Sequence, residues 1–342
     1  MRRLRILTWH VHGNYLYYLS QAEHDFYVPV KEGRPEGYGG RSGTLPWPPN
    51  LHEVPIEHVK DIGLDCVLFQ SKKNYEVDQY EVLSEAQRRL PRIFLEHNPP
   101  REHPVDTRHP VDDRDVLLVH VTYFNDLMWD SGRTPTMVIE HGVTVPGHLE
   151  YSGDNERGIA VVNNLPSRGR RLGADIFQRV AAEVSLDLAG MGSETLGGLG
   201  ELSRHRLLEA EQHYRFFFNP IRYTSLGLSI CEAMMVGLPV IGLATTELVR
   251  VIENGVSGYV DTSVTALIER MKDLQKHPQE ALRLSDGAKR TARERFNIDR
   301  FVRDWDDAFS LVTGRPRAAS LYPRSGAQDP IRSKHEKTYR IN

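Results

Sequence analysis

Residues 217–260 read FFNPIRYTSLGLSICEAMMVGLPVIGLATTELVRVIENGVSGYV. An apolar run ends at Asn219-Pro220, a polar loop follows, and a helix opens near Gly227. Gly237 closes that helix and Pro239 forbids its continuation, so the stretch reads strand, loop, helix, strand. The first N–H groups of such a helix have no partner inside it. With the helix dipole they form an anion site suited to a diphosphate. Glu232 lies about one turn in, among Cys231, Ala233, Met234 and Met235. A carboxylate there can accept from two neighbouring hydroxyls, as a ribose diol presents, or it is a plain solvent-facing helix glutamate.

The same grammar extends outward in both directions. Apolar strand candidates recur at 4–9, 26–30, 66–70, 92–96, 116–121 and 137–140, with a helix candidate at 79–89. A second series runs 159–162, 186–189, 214–218 and 240–241. Between these strands, residues 175–184 carry Ile176, Phe177, Val180, Ala181 and Val184 at helical spacing. Late helices are marked by Leu267, Ile268, Met271 and Leu274, and by Ile298, Phe301, Val302, Trp305 and Phe309. Short apolar runs alternating with helices predict βαβ units and parallel sheets. The chain is thus expected to be α/β, with two doubly wound halves facing across a cleft. The expected boundaries are 1–147, 148–312 and a tail at 313–342, with the last helix free to pack back on the first half. Ligands of such sheets bind outside the carboxyl ends of the strands. Residues 31–55 are rich in Gly and Pro and are expected to be one long loop that shapes ligand choice.

Composition narrows the class. The chain has 342 residues, 39% hydrophobic, with a net charge of -3, enough to build two cores and too acidic for a typical nucleic-acid binder. Its two cysteines, Cys66 and Cys231, fit a reduced intracellular protein, and neither a signal peptide nor a membrane-length apolar run is read. The expected location is cytoplasmic. The tail holds seven Lys or Arg against two acids. That charge suits peripheral contact with an anionic membrane, or a passive solvated tail. Eleven of the 15 histidines precede residue 150, but no zincin-like glutamate accompanies them, so no metal site is assigned.

On these residues the chain resembles the retaining family-4 (group 1) glycosyltransferases of GT-B fold. Gly227-Leu228, Glu232-Ala233-Met234 and Gly237-Leu238-Pro239-Val240 match the family's donor-binding signature, and Glu247-Leu248, Glu253-Asn254-Gly255 and Gly258 continue it. The resemblance implies that Glu232 contacts the nucleotide ribose and that the backbone at Ser225, Leu226, Gly227 and Leu228 serves the donor. The family's first motif glutamate, which helps hold the donor sugar, falls on Thr224, an uncharged residue. Residues 159–177, IAVVNNLPSRGRRLGADIF, resemble the family's diphosphate-gripping segment. Its arginine falls on Asn164, and its lysine most naturally on Arg168, with Arg170 or Arg171 as alternatives. A guanidinium grips phosphate oxygens bidentately. Gly190 fits the glycine turn after the next strand. His12-Gly13-Asn14 resembles the N-terminal glycine turn, with Gly13 the donor-side position. His97, just after a strand, resembles the family histidine near the donor sugar. His97 and Thr224 are therefore the catalytic candidates.

The function expected is transfer of a hexosyl group from a UDP- or GDP-sugar to an acceptor hydroxyl on a glycan or lipid-linked glycan, in glycan or polysaccharide synthesis. The resemblance implies retention and no metal; no other cofactor is expected. Two alternatives are a non-catalytic sugar-nucleotide-binding partner subunit, favoured by Thr224 and Asn164, and a GT-B sugar-nucleotide epimerase.

Overall fold

The computed structural model describes residues 3–11, 13–41 and 43–314; the tail at 315–342 and His12 lie outside the described residues. The first sheet is built from β1 (Arg5–Thr8), β2 (Asp25–Val30), β3 (Leu51–Pro55), β4 (Cys66–Phe69), β5 (Arg92–Glu96), β6 (Val116–His120) and β7 (Thr136–Val138). Its order is β3-β2-β1-β4-β5-β6-β7, and each pairing is parallel. The second sheet, from β8 (Asn155–Val161), β9 (Leu186–Ala189), β10 (Tyr214–Asn219), β11 (Val240–Leu243) and β12 (Gly258–Asp261), is also parallel, in the order β12-β11-β10-β8-β9. Every residue of β4, β6 and β10 is buried. Helices cover both faces of such sheets, so their strands read as unbroken apolar runs.

The helices are α1 (Gly13–Leu19), α2 (Gln79–Val82), α3 (Glu85–Arg88), α4 (Tyr123–Met128), α5 (Leu165–Leu172), α6 (Ala174–Ala181), α7 (Arg204–Glu211), α8 (Leu228–Val236), α9 (Leu248–Val251), α10 (Val264–Lys276), α11 (Pro278–Arg295) and α12 (Ile298–Thr313). The chain order reverses between β1 and β4 in the first sheet, and between β8 and β10 in the second. At such a switch point the flanking loops part, and the crevice beyond the strand ends opens.

Two expectations needed correction. Residues 31–55 are not one loop: the last five form β3, whose Leu51 and Val54 are buried against β2 with a register from Phe26↔Leu51 to Val30↔Pro55. Proline is tolerated there because β3 is an edge strand. The expected helix at 79–89 is broken in two at Leu83, which is extended. Ser84 starts the second piece with a capping box, its side chain and that of Gln87 each satisfying the other's backbone N–H.

The two halves share apolar surface through α12. Asn297 caps this helix by accepting from Asp299 and Arg300 N–H groups. Phe301, Trp305 and Phe309, one face of the helix, are buried. They meet the first half: Trp305 Nε1 donates to Tyr15 Oη at 3.2 Å, and the rings of Phe301 and Phe309 lie 5.6 Å and 6.4 Å from those of Tyr15 and Phe26. Burying aromatic rings of this size contributes roughly 1.5–3 kcal/mol each. The chain thus returns to its first half after building the second. No helix among the described residues is long and apolar enough to cross a membrane.

Candidate functional site

The second sheet's switch point carries the segment from Asn164 to Arg171. Asn164 is left-handed at φ 54° and starts α5 without a side-chain cap. The segment is helical, with a break at Gly169. Asn163 and Asn164 tie it to the next strand's exit: Met191 N–H donates to Asn163 Oδ1 at 3.0 Å, and Asn164 N–H to the Met191 carbonyl at 2.7 Å. Gly190 sits at φ 125° in this turn, and a side chain there would press on the Val162 carbonyl at 2.7 Å. Gly173, at φ 82°, joins α5 to α6, and a Cβ on it would collide with the Pro220 carbonyl at the end of β10. That close approach holds α5 against the loop that leads to α8.

The arginines of the segment divide by partner. Arg170 pairs with Asp175 at 2.7 Å, and Arg222 shares that carboxylate at 2.6 Å. Arg168 and Arg171 have no acidic partner among the described residues. Burial, then repulsion from neighbouring guanidiniums, moves both below the usual guanidinium range; they stay charged.

Thr224 and Ser225 lie in the loop before α8, with Thr224 half-buried and Ser225 buried. The first half clamps this loop. Asn125 Nδ2 donates to Ser225 Oγ at 3.4 Å, and His141 Nε2 lies 2.9 Å from the Leu226 carbonyl. Burial lowers His141 to about 4, so its ring is neutral and carries its proton on the nitrogen facing that carbonyl. Close by, the buried Glu247 accepts from the Phe124 N–H at 2.8 Å. Gly227 precedes α8 with no side-chain cap, which leaves the amides of Leu228 and Ser229 for a ligand, while the Ile230 N–H donates to the Gly227 carbonyl at 3.1 Å.

Glu232 is 3% exposed, so it is not a solvent-facing helix residue. Its Oε1 accepts from Tyr18 Oη on α1, and from Arg204 Nε at 2.8 Å. Arg204 Nη2 also donates to Tyr18 Oη at 2.7 Å and to the Thr144 carbonyl. Burial and the nearby carboxylate push the Tyr18 phenol well above its ordinary range, so it remains a donor. Glu211, at the end of α7, is fully buried with neither carboxyl oxygen partnered; burial, then the charge on Glu232, pushes it well up. A cavity of about 470 Å³ flanks this network, lined by Tyr17, Thr44, Leu45, Pro46, Thr144 and Arg204 among others.

On the first half, Gly13 opens α1, and a Cβ on it would sit 3.1 Å from His10 Nε2. His97 follows β5 and lies 3.2 Å from Gln70 Oε1 through Nε2. Gln70 in turn donates to Thr8 Oγ1 and the Trp9 carbonyl at the end of β1, so His97 is braced at the first switch point. The Tyr15 ring stands edge-on to both His97 and His141, at 4.9 Å and 5.7 Å. The structure thus brings Asn164, Arg168 and Gly190 together at one switch point, and Ser225, Leu226 and Glu232 against the first half. Sequence reasoning missed Tyr18, Arg204, Asn125 and His141 as members. Only the i, i+3 spacing of Tyr15 and Tyr18 could have flagged a shared face; nothing local marks Arg204. Among the described residues no group of three or more His, Cys, Asp or Glu is placed to hold a metal.

Two parallel α/β halves facing across a cleft, with switch points turned toward each other, define the GT-B architecture. Residues 159–277, about a third of the chain, match the family model described as glycosyl transferases group 1. The solved structures agree on the fold. Sucrose-phosphate synthase from Thermosynechococcus elongatus superposes with a TM-score of 0.68 at 14% identity, over 91% of this chain and 100% of that one. The Anabaena protein HepE in complex with UDP-glucose gives 0.66 at 15% identity, over 90% and 100%. A glycosyltransferase from Rickettsia africae gives 0.63 at 11%, over 91% and 99%. No curated protein matches the sequence.

Proposed function

We propose that this chain transfers a sugar from a nucleoside diphosphate sugar to an acceptor hydroxyl, with retention and without a bound metal. The carrying observation is the pair Arg168 and Arg171, two guanidiniums with no acidic partner among the described residues, on a helix whose Arg171 carbonyl accepts from the Arg222 and Tyr223 N–H groups of the loop that leads to α8. Charge builds on the diphosphate as it leaves, and donors already in place there stabilise the transition state. Gly227 and Leu228 supply amides, Asn164 and Gly190 shape the turn, and Glu232 takes the ribose once Tyr18 and Arg204 yield an oxygen. His97 is the group of the first half offered to the sugar. Thr44, Leu45 and Pro46, from the Gly/Pro-rich segment, line the cavity beside Glu232 and suit a role in acceptor choice. HepE was solved with UDP-glucose, which makes a uridine nucleotide the first probe. The reading extends to glycan or lipid-linked acceptors, to polysaccharide synthesis and to a cytoplasmic setting.

One observation favours a second reading, a nucleotide-binding subunit without turnover. Glu232 is engaged by the protein's own Tyr18 and Arg204, and Thr224 offers no charge to the donor sugar. Thermal-shift binding of UDP, GDP, ADP and their sugars separates the readings, repeated with Arg168→Ala and Glu232→Ala and followed by an assay for released nucleotide. A ligand that binds only the native state raises Tm. A shift for one nucleotide, lost in Arg168→Ala, together with product release supports transfer. A shift without product supports the subunit, and in that case Thr224→Glu is the variant that restores turnover. No shift with any nucleotide overturns both.

A further inference from the structure

His97 is half-buried on a turn that is held from both sides. Glu96, the last residue of β5, accepts from the Asn98 N–H through Oε1 at 2.7 Å, and Trp129 Nε1 donates to the Asn98 carbonyl at 2.8 Å. Glu96 Oε2 lies 3.2 Å from His109 Nε2, while the Val111 N–H donates to His109 Nδ1 at 3.1 Å. His109 therefore carries its proton on Nε2 and gives it to Glu96. Its own N–H donates to the Asp130 carbonyl at 2.8 Å, which fixes His109 in turn.

The His97 ring is set as firmly as its backbone. Gln70, 3% exposed, follows β4 at the first switch point. Its Nε2 donates to the Trp9 carbonyl at 2.7 Å and to Thr8 Oγ1 at 2.8 Å. A carbonyl only accepts, so the amide nitrogen must face it and the amide has one orientation. Gln70 Oε1 then faces His97 Nε2 at 3.2 Å. An amide oxygen also only accepts, so the ring is the donor. The neutral imidazole carries its proton on Nε2 and its lone pair on Nδ1. The Tyr15 ring, edge-on at 4.9 Å, limits rotation away from this setting.

We propose that Gln70 is a positioning residue that sets the tautomer of His97, so that the ring meets a hydroxyl of the sugar as a hydrogen-bond acceptor through Nδ1. This rests on the donor-site reading above, which offers His97 to the sugar, and adds what fixes its proton. The hydroxyl keeps its proton in this contact, and no covalent bond is made or broken. Gln70 itself touches no ligand; it acts through the imidazole. Without its Oε1 the two tautomers compete, and the ring presents an N–H for part of the time where the site is built around a lone pair.

The test uses the full chain with its histidines isotopically labelled, and UDP, GDP and ADP with the glucose ester of each; the base that binds the wild type is carried forward. Long-range proton–nitrogen spectra above neutral pH, with His97→Asn to assign the ring, are expected to show the Nε2–H tautomer in the wild type and a mixture in Gln70→Met. Gln70→Met is expected to lower affinity and kcat/KM for the glucose ester about tenfold and to leave the free nucleoside diphosphate within about twofold. Gln70→Glu retains an acceptor for the ring, keeps the tautomer and recovers part of the loss. An Nδ1–H tautomer in the wild type overturns the proposal, and that spectrum needs no Gln70 variant to fold. An equal loss for both ligands, as a merely structural role predicts, or no loss for either overturns it too. Failure of the donor-site reading looks different: the wild type then binds neither ligand, and the spectra still decide the tautomer.

Discussion

The Tyr18 hydroxyl of α1 donates to the Glu232 carboxylate of α8, joining the two halves of the molecule through a bond between residues 214 apart in sequence. Arg204 braces both partners, so the glutamate expected to hold a ribose also ties the cleft shut. Tyr18→Phe keeps the ring and removes the donor. It is expected to cost about 1.5–3 kcal/mol, the range for a hydrogen bond to a charged group, read from urea denaturation. It is also expected to strengthen nucleotide binding, because Glu232 Oε1 is then held by Arg204 alone. Weaker binding in Tyr18→Phe would mean that the phenol serves the ligand directly.

Glu211 carries the clearest electrostatic cost. Its folded pKa is raised by burial, so the folded state holds a proton that the unfolded state releases above about 4.5. Stability from this group is fully present below that value and is lost as pH rises from there toward the raised folded value. Glu211→Gln removes the titration and is expected to raise stability by about 1–3 kcal/mol at pH 7, with the gain fading toward pH 4.5. A pH-independent difference between the two proteins would refute this account.

His120 and His141 act at the other end of the scale. Burial holds them neutral, at about 3 and about 4 respectively. Asp126, 3.6 Å from His120, is therefore not an ion-pair partner near neutral pH. Both groups have depressed folded values, so their contribution is present above about 6.5 and lost as pH falls. Each is expected to cost about 2 kcal/mol by pH 5, and His120→Leu should flatten that acid limb in a Tm–pH profile.

Gly173 tests whether the position of α5 matters to the ligand. With φ 82° and the Pro220 carbonyl against its missing Cβ, Gly173→Ala must displace the arginine-bearing helix. The expected cost is about 2–4 kcal/mol, and nucleotide affinity should fall with it. Loss of stability with affinity intact would detach α5 from the donor site.

The two parallel sheets were legible in the residues alone, because strands covered on both faces are apolar over most of their length, as Cys66–Phe69, residues 116–119 of β6 and residues 216–218 of β10 are. Sequence by itself also determined α8, whose start at Gly227 and stop at Gly237-Leu238-Pro239 follow from backbone chemistry alone, and the matches that pick out Glu232 and Arg168. It misread 51–55 and 79–89, where edge pairing and the capping box at Ser84 override local pattern. Tertiary structure alone decided which charges are free. Arg170 and Arg168 stand two residues apart and look alike in sequence, yet Asp175 takes the first and leaves the second. The same holds for Glu232 with Tyr18 and Arg204. Each contact joins residues from distant parts of the chain, and folding rather than spacing brings them within hydrogen-bonding or Coulomb range.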